Sequence, residues 1–182
     1  MSAHWRRLNK EMVFKTSIFE LHKETSESAR TGAVHDFYYI NCIDWVNVIA
    51  VTPKNEIILI KQYRHGSGRM ELEIPGGGLD PKDPNPISGG ARELLEETGY
   101  EGKNGQIIGQ VCPNPAIQGN ICYTVMFTDC KQISEPQMEQ TETIETVLIP
   151  TESITDLILE GKISHGLVLN ALHFYELIKN KE

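Results

Sequence analysis

Three glutamates, Glu93, Glu96 and Glu97, fall within five consecutive positions of ARELLEETGY (residues 91–100), directly after Arg92. Successive residues on a helix turn by about 100°, which puts Glu97 about 40° to one side of Glu93 and Glu96 about 60° to the other. The three carboxylates then share one face, with Leu94, Leu95 and Ala91 on the opposite side. Like charges three and four residues apart destabilise a helix, and no lysine stands on this one to relieve them. A solvated acidic face is one reading of the cluster. The other is a site for divalent cations, which would neutralise the repulsion. Convergent hard oxygens beside an open backbone suit Mg2+ or Mn2+. The stretch PGGGLD (75–80) supplies such a backbone, because glycine has no side chain to hold a ligand away.

The elements that must position this turn follow from local signals. Asn85 before Pro86 reads as an N-cap and first helical residue, with the helix running to about Thr98 and Gly99 as its stop. Gly89 and Gly90 weaken its first half, by roughly 1 kcal/mol each relative to alanine. The aromatic and β-branched run FYYINCIDWVNVIAVT (37–52) predicts one or two strands. TPKNE is a turn, and 57–64, 106–111, 122–129 and 145–150 are further strands. Residues 22–35, polar and small, read as a loop or hairpin turn. Two helices close the chain, at 151–160 with a stop at Gly161 and at 164–179. Strands, a helix, more strands and terminal helices predict a layered α/β or α+β domain.

Composition narrows the partners. The chain has 182 residues, 40% hydrophobic and 23% charged, which suits one globular domain with room for a small appended element. No apolar run approaches the 18 residues or so of a membrane span, and none follows Arg6 and Arg7 to make a secretory signal. Cys42, Cys112, Cys122 and Cys130 form no CxxC pair; reduced, buried thiols in a cytoplasmic protein are expected. A net charge of −8 disfavours nucleic acid as a partner. An anionic ligand must therefore be held by local arginines or by bound cations.

RELLEETGY (92–100) matches every fixed position of REUxEExGU, the second half of the Nudix box, where U is aliphatic or aromatic. DWVNVIAVT, LIKQYRHG, ELEIPGG and NPAIQGNICYTVMF follow the order found in the ADP-ribose and nucleoside diphosphate sugar pyrophosphatase branch. The chain resembles that branch over roughly residues 5 to 178. One position departs. The first half of the box places Gly78 on its glycine but Pro84 where a glutamate belongs, with Asp83 adjacent.

The resemblance implies an α/β/α sandwich around a mixed β-sheet, with an N-terminal antiparallel strand element. Residues 1–50 would form that element and dimerise, and 51–182 would form the hydrolase domain. It implies Mg2+-dependent hydrolysis, Mn2+ being the alternative ion, of a diphosphate in ADP-ribose or another nucleoside diphosphate sugar. Glu93 and Glu97 would ligate metal, Glu96 would be shared or bridging, and the Gly76 carbonyl would complete the set. Arg92 would hold the glutamates in place, the alternative being a structural salt bridge. Arg64 would contact phosphate, against the alternative of a surface arginine at a strand end, and Glu73 would interact with a metal or an arginine. A general base is expected in SEPQMEQTETIETVLIP: Glu142 aligns best, with Glu139 and Glu145 as alternatives. Trp45 is the expected base-stacking ring, with Trp5, Phe37 and Tyr39 near it in sequence; for Phe37 and Tyr39 core packing is the favoured reading. His165 reads as structural or capping, and His65 has only its place after Arg64 to recommend it. Two other readings stand beside this one: a nucleotide-sugar sensor that binds without cutting, and a Nudix enzyme for nucleoside triphosphates or coenzyme A.

Overall fold

Residues 22–28, polar enough to read as loop, are strand. In the computed structural model, which describes residues 4–137 and 143–180, β1 (Trp5–Lys15), β2 (Glu20–Ser28) and β3 (Val34–Asn41) form an antiparallel sheet in that order. Strand β2 is central, so both its edges are hydrogen-bonded, and its charged side chains find partners on the neighbouring strands. Arg6 pairs with Glu27, Arg7 with Glu24 and Lys15 with Glu20 across β1 and β2, and Lys23 pairs with Asp36 of β3. These cross-strand ion pairs replace the apolar alternation that sequence reading relies on. The turn itself is short, with Gly32 at φ 72°.

The chain divides into two units. The first runs to Asp44 and takes in Cys112–Ile121. Ile40 ties that segment down by donating to the Ile117 carbonyl and accepting from the Gly119 amide. The second unit comprises Trp45–Val111 and the chain from Cys122 onward. It contains β4 (Trp45–Ala50), β5 (Glu56–Arg64), β6 (Arg69–Glu73), β7 (Gly76–Gly78), α1 (Pro86–Thr98), β8 (Tyr100–Val111), β9 (Cys122–Gln132), β10 (Ile144–Pro150), α2 (Ile154–Leu159) and α3 (Gly166–Lys179). One sheet is mixed, in the order β7-β4-β9-β8 with β4 parallel to β9; the other is antiparallel, β10-β5-β6. Alternation at period two gives β4 and β5 two apolar faces. Val46, Val48, Ala50 and Ile58 are buried with Leu94 of α1. Ile49, Ile57 and Leu59 are buried with Ile154 of α2 and Val168, Ala171 and Leu172 of α3. Helices thus cover both sides of the strands, which is the α/β/α arrangement expected.

Helix α1 is capped as its sequence predicts. Asn85 Oδ1 accepts from the Ser88 amide at 3.0 Å, and Gly99 closes the helix at φ 74° with its amide on the Leu95 carbonyl. The buried stripe, however, is Gly90, Leu94, Glu97 and Thr98, while Ala91 is exposed. Close packing explains the shift. A Cβ on Gly90 would lie 3.3 Å from methyls of Val46 and Val48, and one on Gly89 would lie 2.4 Å from Leu79. Gly90 lets the helix sit on β4 and Gly89 lets it close on Leu79, and the same rotation carries Glu97 inward.

Two cysteine expectations are corrected: Cys112 is exposed and Cys42 half-buried. Cys122 and Cys130 are buried, and burial pushes their thiols up to about 11. Among the described residues no helix is long and apolar enough to cross a membrane.

Gly99 and Gly161 test what holds the end of α1. Both have left-handed φ, but a Cβ on Gly99 would meet the Ser134 carbonyl oxygen at 2.0 Å, whereas one on Gly161 meets nothing within 4 Å. Gly161→Ala should cost about 1 kcal/mol from backbone strain alone, and Gly99→Ala roughly 2–4 kcal/mol, since the clash adds to the strain. Urea unfolding of the two variants measures the difference; equal losses would contradict the packing of residue 134 on the helix end.

Candidate active site

Strand β5 sends Gln62 and Arg64 to one face, two residues apart, and β6 sets Glu71 opposite Gln62 and Glu73 opposite Ile60 on that same face. Glu73 is 2% exposed. Arg64 grips it, Nη2 to Oε2 at 2.7 Å and Nε to the two oxygens at 3.2 and 3.3 Å. Burial raises the Glu73 pKa, but His165 and Arg64 together outweigh it and leave the carboxyl below its ordinary value. Arg64 is therefore braced at its base on a buried anion, and it lines a cavity of about 300 Å³. Arg64 is also the last residue of β5, with its side chain 41% exposed, as the strand-end alternative has it. Glu73 meets an arginine, one of its two expected partners.

The opposite wall is glycine backbone and α1. Gly76, Gly77 and Gly78 pair with Asn47, Val46 and Trp45 of β4. A Cβ on Gly76 would strike the Val46 carbonyl oxygen at 2.3 Å, and a Cβ on Gly77 would lie 2.7–2.9 Å from the Glu93 carboxylate. Only glycine leaves room for that carboxylate to rest on the backbone. Glu97, 5% exposed, accepts the Gly76 amide at 2.9 Å. Glu93, Glu96 and Glu97 all line the cavity.

Arg92 lies among them. Its Nη1 donates to Glu93 and to Glu96, each at 2.9 Å; Nη2 donates to the Gly78 carbonyl at 3.1 Å and to Asp83 at 3.0 Å; Nε reaches the other Asp83 oxygen at 3.3 Å. These charge-assisted contacts raise the pKa of Arg92, with Asp83 the largest cause, and lower that of Asp83. Asp83, the acid beside Pro84, thus pairs with the guanidinium and is not part of the cavity lining.

Among the described residues no three His, Cys, Asp or Glu side chains are gathered as a ready ligand shell. The donor chemistry nonetheless suits a hard divalent ion: three carboxylates from one helical turn and the open backbone at Gly76 front one cavity. Gly76, Glu93, Glu96 and Glu97 are the residues that would hold it.

Glu142 and Glu139 lie outside the described residues. Glu145 pairs with Lys61 at 2.8 Å, and its strand neighbour Ile144 is the residue that faces Gln62. Trp45 is half-buried opposite Gly78 and is not in the cavity lining. Phe37, 38% exposed, is not core; Trp5 and His35 each pack edge-on against it, and Tyr39 stacks on His22. His65 is exposed and edge-on to Tyr63. His165 makes no capping hydrogen bond, contrary to the capping reading; its Nδ1 lies 3.1 Å from Glu73 Oε1. Sequence reading missed Gln62 and Gln137, both in the lining. Gln62 was findable, being two residues from Arg64 on a strand. Gln137 was not, because its place depends on a backbone bond from its amide to the Glu96 carbonyl at 2.7 Å.

The NUDIX domain profile matches residues 44–172. Among curated relatives, an ADP-ribose pyrophosphatase of Bacillus subtilis (strain 168) is 25% identical over 177 residues, covering 97% of this chain and 95% of its own. An ADP-ribose pyrophosphatase of Mycobacterium tuberculosis is 26% identical, covering 93% of this chain and 82% of its own. A solved structure described as an ADP compounds hydrolase superposes with TM-score 0.86 at 20% identity over 100% of this chain and 98% of its own, which establishes a shared fold. With the profile spanning most of the chain and RELLEETGY (92–100) lying on the cavity-lining helix, the chain belongs to the NUDIX domain family.

Proposed function

We propose that the protein is a divalent-metal-dependent hydrolase that cleaves the diphosphate of ADP-ribose or a related nucleoside diphosphate sugar, releasing a nucleoside monophosphate and a sugar phosphate. The observation that carries the reading is one cavity with an acidic helical turn on one wall and the braced Arg64 on the other. That pairing suits a ligand whose negative oxygens need both cations and a guanidinium fork. The names of the relatives, two of them ADP-ribose pyrophosphatases and one an ADP-sugar pyrophosphatase of Mus musculus, support the substrate class.

Gly76, Glu93, Glu96 and Glu97 would hold Mg2+, or Mn2+ in its place, which when bound offsets diphosphate charge and acidifies an attacking water. Arg64 binds phosphate oxygens. Arg92 keeps Glu93 and Glu96 from splaying apart and is itself tethered by Asp83. Glu142 takes the proton from water; before its segment Gln137 stands in the cavity lining, and after it, beyond Thr143, Ile144 stands opposite Gln62. Trp45 offers a half-buried indole for stacking a base.

The protein acts as a homodimer in the cytoplasm. Every residue of β1 is exposed, including Trp5, Leu8, Met12, Val13 and Phe14, an apolar concentration that marks an interaction surface. Four free thiols suit a reducing compartment.

With Mg2+ present, the protein should hydrolyse ADP-ribose in preference to UDP-glucose, GDP-mannose and ATP, and chelation should stop it. Trp45→Ala should raise KM about tenfold while leaving kcat nearly intact, as expected for loss of a stacking ring. Product analysis by anion exchange decides: tight binding of ADP-ribose with no cleavage would make the protein a sensor. Sedimentation equilibrium at micromolar concentration should give a dimer that Met12→Glu with Phe14→Glu converts to monomer; a wild-type monomer contradicts the assembly.

A further inference from the structure

The first turn of α3 and the residues just before it touch three residues that back the cavity lining. Ser164 Oγ lies 2.8 Å from Arg69 Nη2 and 3.2 Å from Glu71 Oε2, and Glu71 is the register partner of Gln62. The Leu167 carbonyl accepts from Asn47 Nδ2 at 3.1 Å, and Asn47 is the register partner of Gly76. Between them His165 Nδ1 approaches Glu73 Oε1 at 3.1 Å, on the carboxylate that grips Arg64.

His165 Nδ1 is shut off from solvent, and the approach is an ion-pair distance without the alignment of a good hydrogen bond. Two lone pairs would repel at that separation, so Nδ1 carries the proton on the side that faces Glu73. Glu73 is thereby held between two partners. Arg64 Nη2 holds Oε2 at 2.7 Å and its Nε reaches both oxygens at 3.2 and 3.3 Å, while His165 draws on Oε1. A buried carboxylate that loses one of two partners leans further on the one that remains, because an under-compensated buried charge is costly. Without His165, Arg64 alone would draw on Glu73, and a further turn of the carboxylate onto Arg64 would pull the guanidinium back along β5.

We propose that His165 is a positioning residue: acting through Glu73, it fixes the direction in which Arg64 presents its guanidinium to the phosphates of the substrate. The inference rests on the reading of Arg64 as a phosphate contact. It gives His165 a role that its place at the helix start does not suggest, since its side chain makes no cap.

A double-mutant cycle separates the two claims. Affinity for ADP-ribose is measured by calorimetry in metal-free buffer, beside KM and kcat with Mg2+, for wild type, Arg64→Ala, His165→Ala and the double variant. His165→Ala should weaken metal-free binding and raise KM about tenfold, with kcat changed less than about twofold. His165→Asn, which returns a donor near the Nδ1 position, should restore most of the loss. In the Arg64→Ala background His165→Ala should add nothing. If Arg64→Ala leaves binding unchanged, the phosphate reading of Arg64 fails and takes this inference with it. If Arg64→Ala weakens binding but His165→Ala does not, or weakens it equally in both backgrounds, the positioning role is overturned and the proposed function stands. Should His165→Ala fail to fold, His165→Phe keeps a ring of similar bulk without the donor and replaces it in the cycle.

Discussion

Three carboxylates on one turn of α1 repel, and the site is arranged around containing that repulsion. Arg92 is the first device. It gives one nitrogen to Glu93 and Glu96 together and another to Asp83 and the Gly78 carbonyl, so a single planar fork ties the acidic turn to the preceding loop. The second device is burial with a donor: Glu97 is nearly enclosed and takes the amide of Gly76. Helix and glycine loop are thus joined at two points by charge-assisted hydrogen bonds, each worth more than a neutral one. Such a turn remains a net acceptor of positive charge, which is the property a diphosphate hydrolase draws on when it recruits cations.

The packing serves the same end. Glycine at 89 and 90 costs helix propensity, yet Gly90 lets α1 lie against Val46, Val48 and Val125, and Gly89 makes room for Leu79. That approach puts the Glu93 carboxylate onto the backbone of Gly77, where a side chain would exclude it. Strand β4 is the common support, carrying α1 through Val46 and Val48 and α3 through Ile49. On the facing wall, the antiparallel pairing of β5 with β6 brings Glu73 under Arg64. The cavity is therefore a product of register as much as of side-chain type.

Much of this was legible in the chain. The caps of α1, Asn85 and Gly99, act through local rules and fell where those rules place them. The acidic turn could be read from helical geometry, and Arg64 from its motif. What escaped reading depends on contacts distant in sequence. Strand β2 has no apolar alternation, because cross-strand ion pairs support it. The buried side of α1 was displaced from the Leu95–Ala91 side because glycine packing, invisible to a hydrophobicity count, set the contact. Asp83 took the guanidinium of Arg92, a partner nine positions away across a loop. His165 looked like a cap because it precedes a helix, while its ring answers to a carboxylate on another strand. Gln137 reaches the lining through a backbone bond that no side-chain pattern encodes.

The central claim is that the turn bearing Glu93, Glu96 and Glu97 takes up divalent ions. Loss of the free Mn2+ electron paramagnetic resonance signal on titration with protein measures it directly. Wild type should show saturable uptake, and a folded variant with Glu93→Gln and Glu97→Gln should bind about 10- to 100-fold more weakly. Equal uptake by the two proteins, or none by wild type even with ADP-ribose present, would contradict the account.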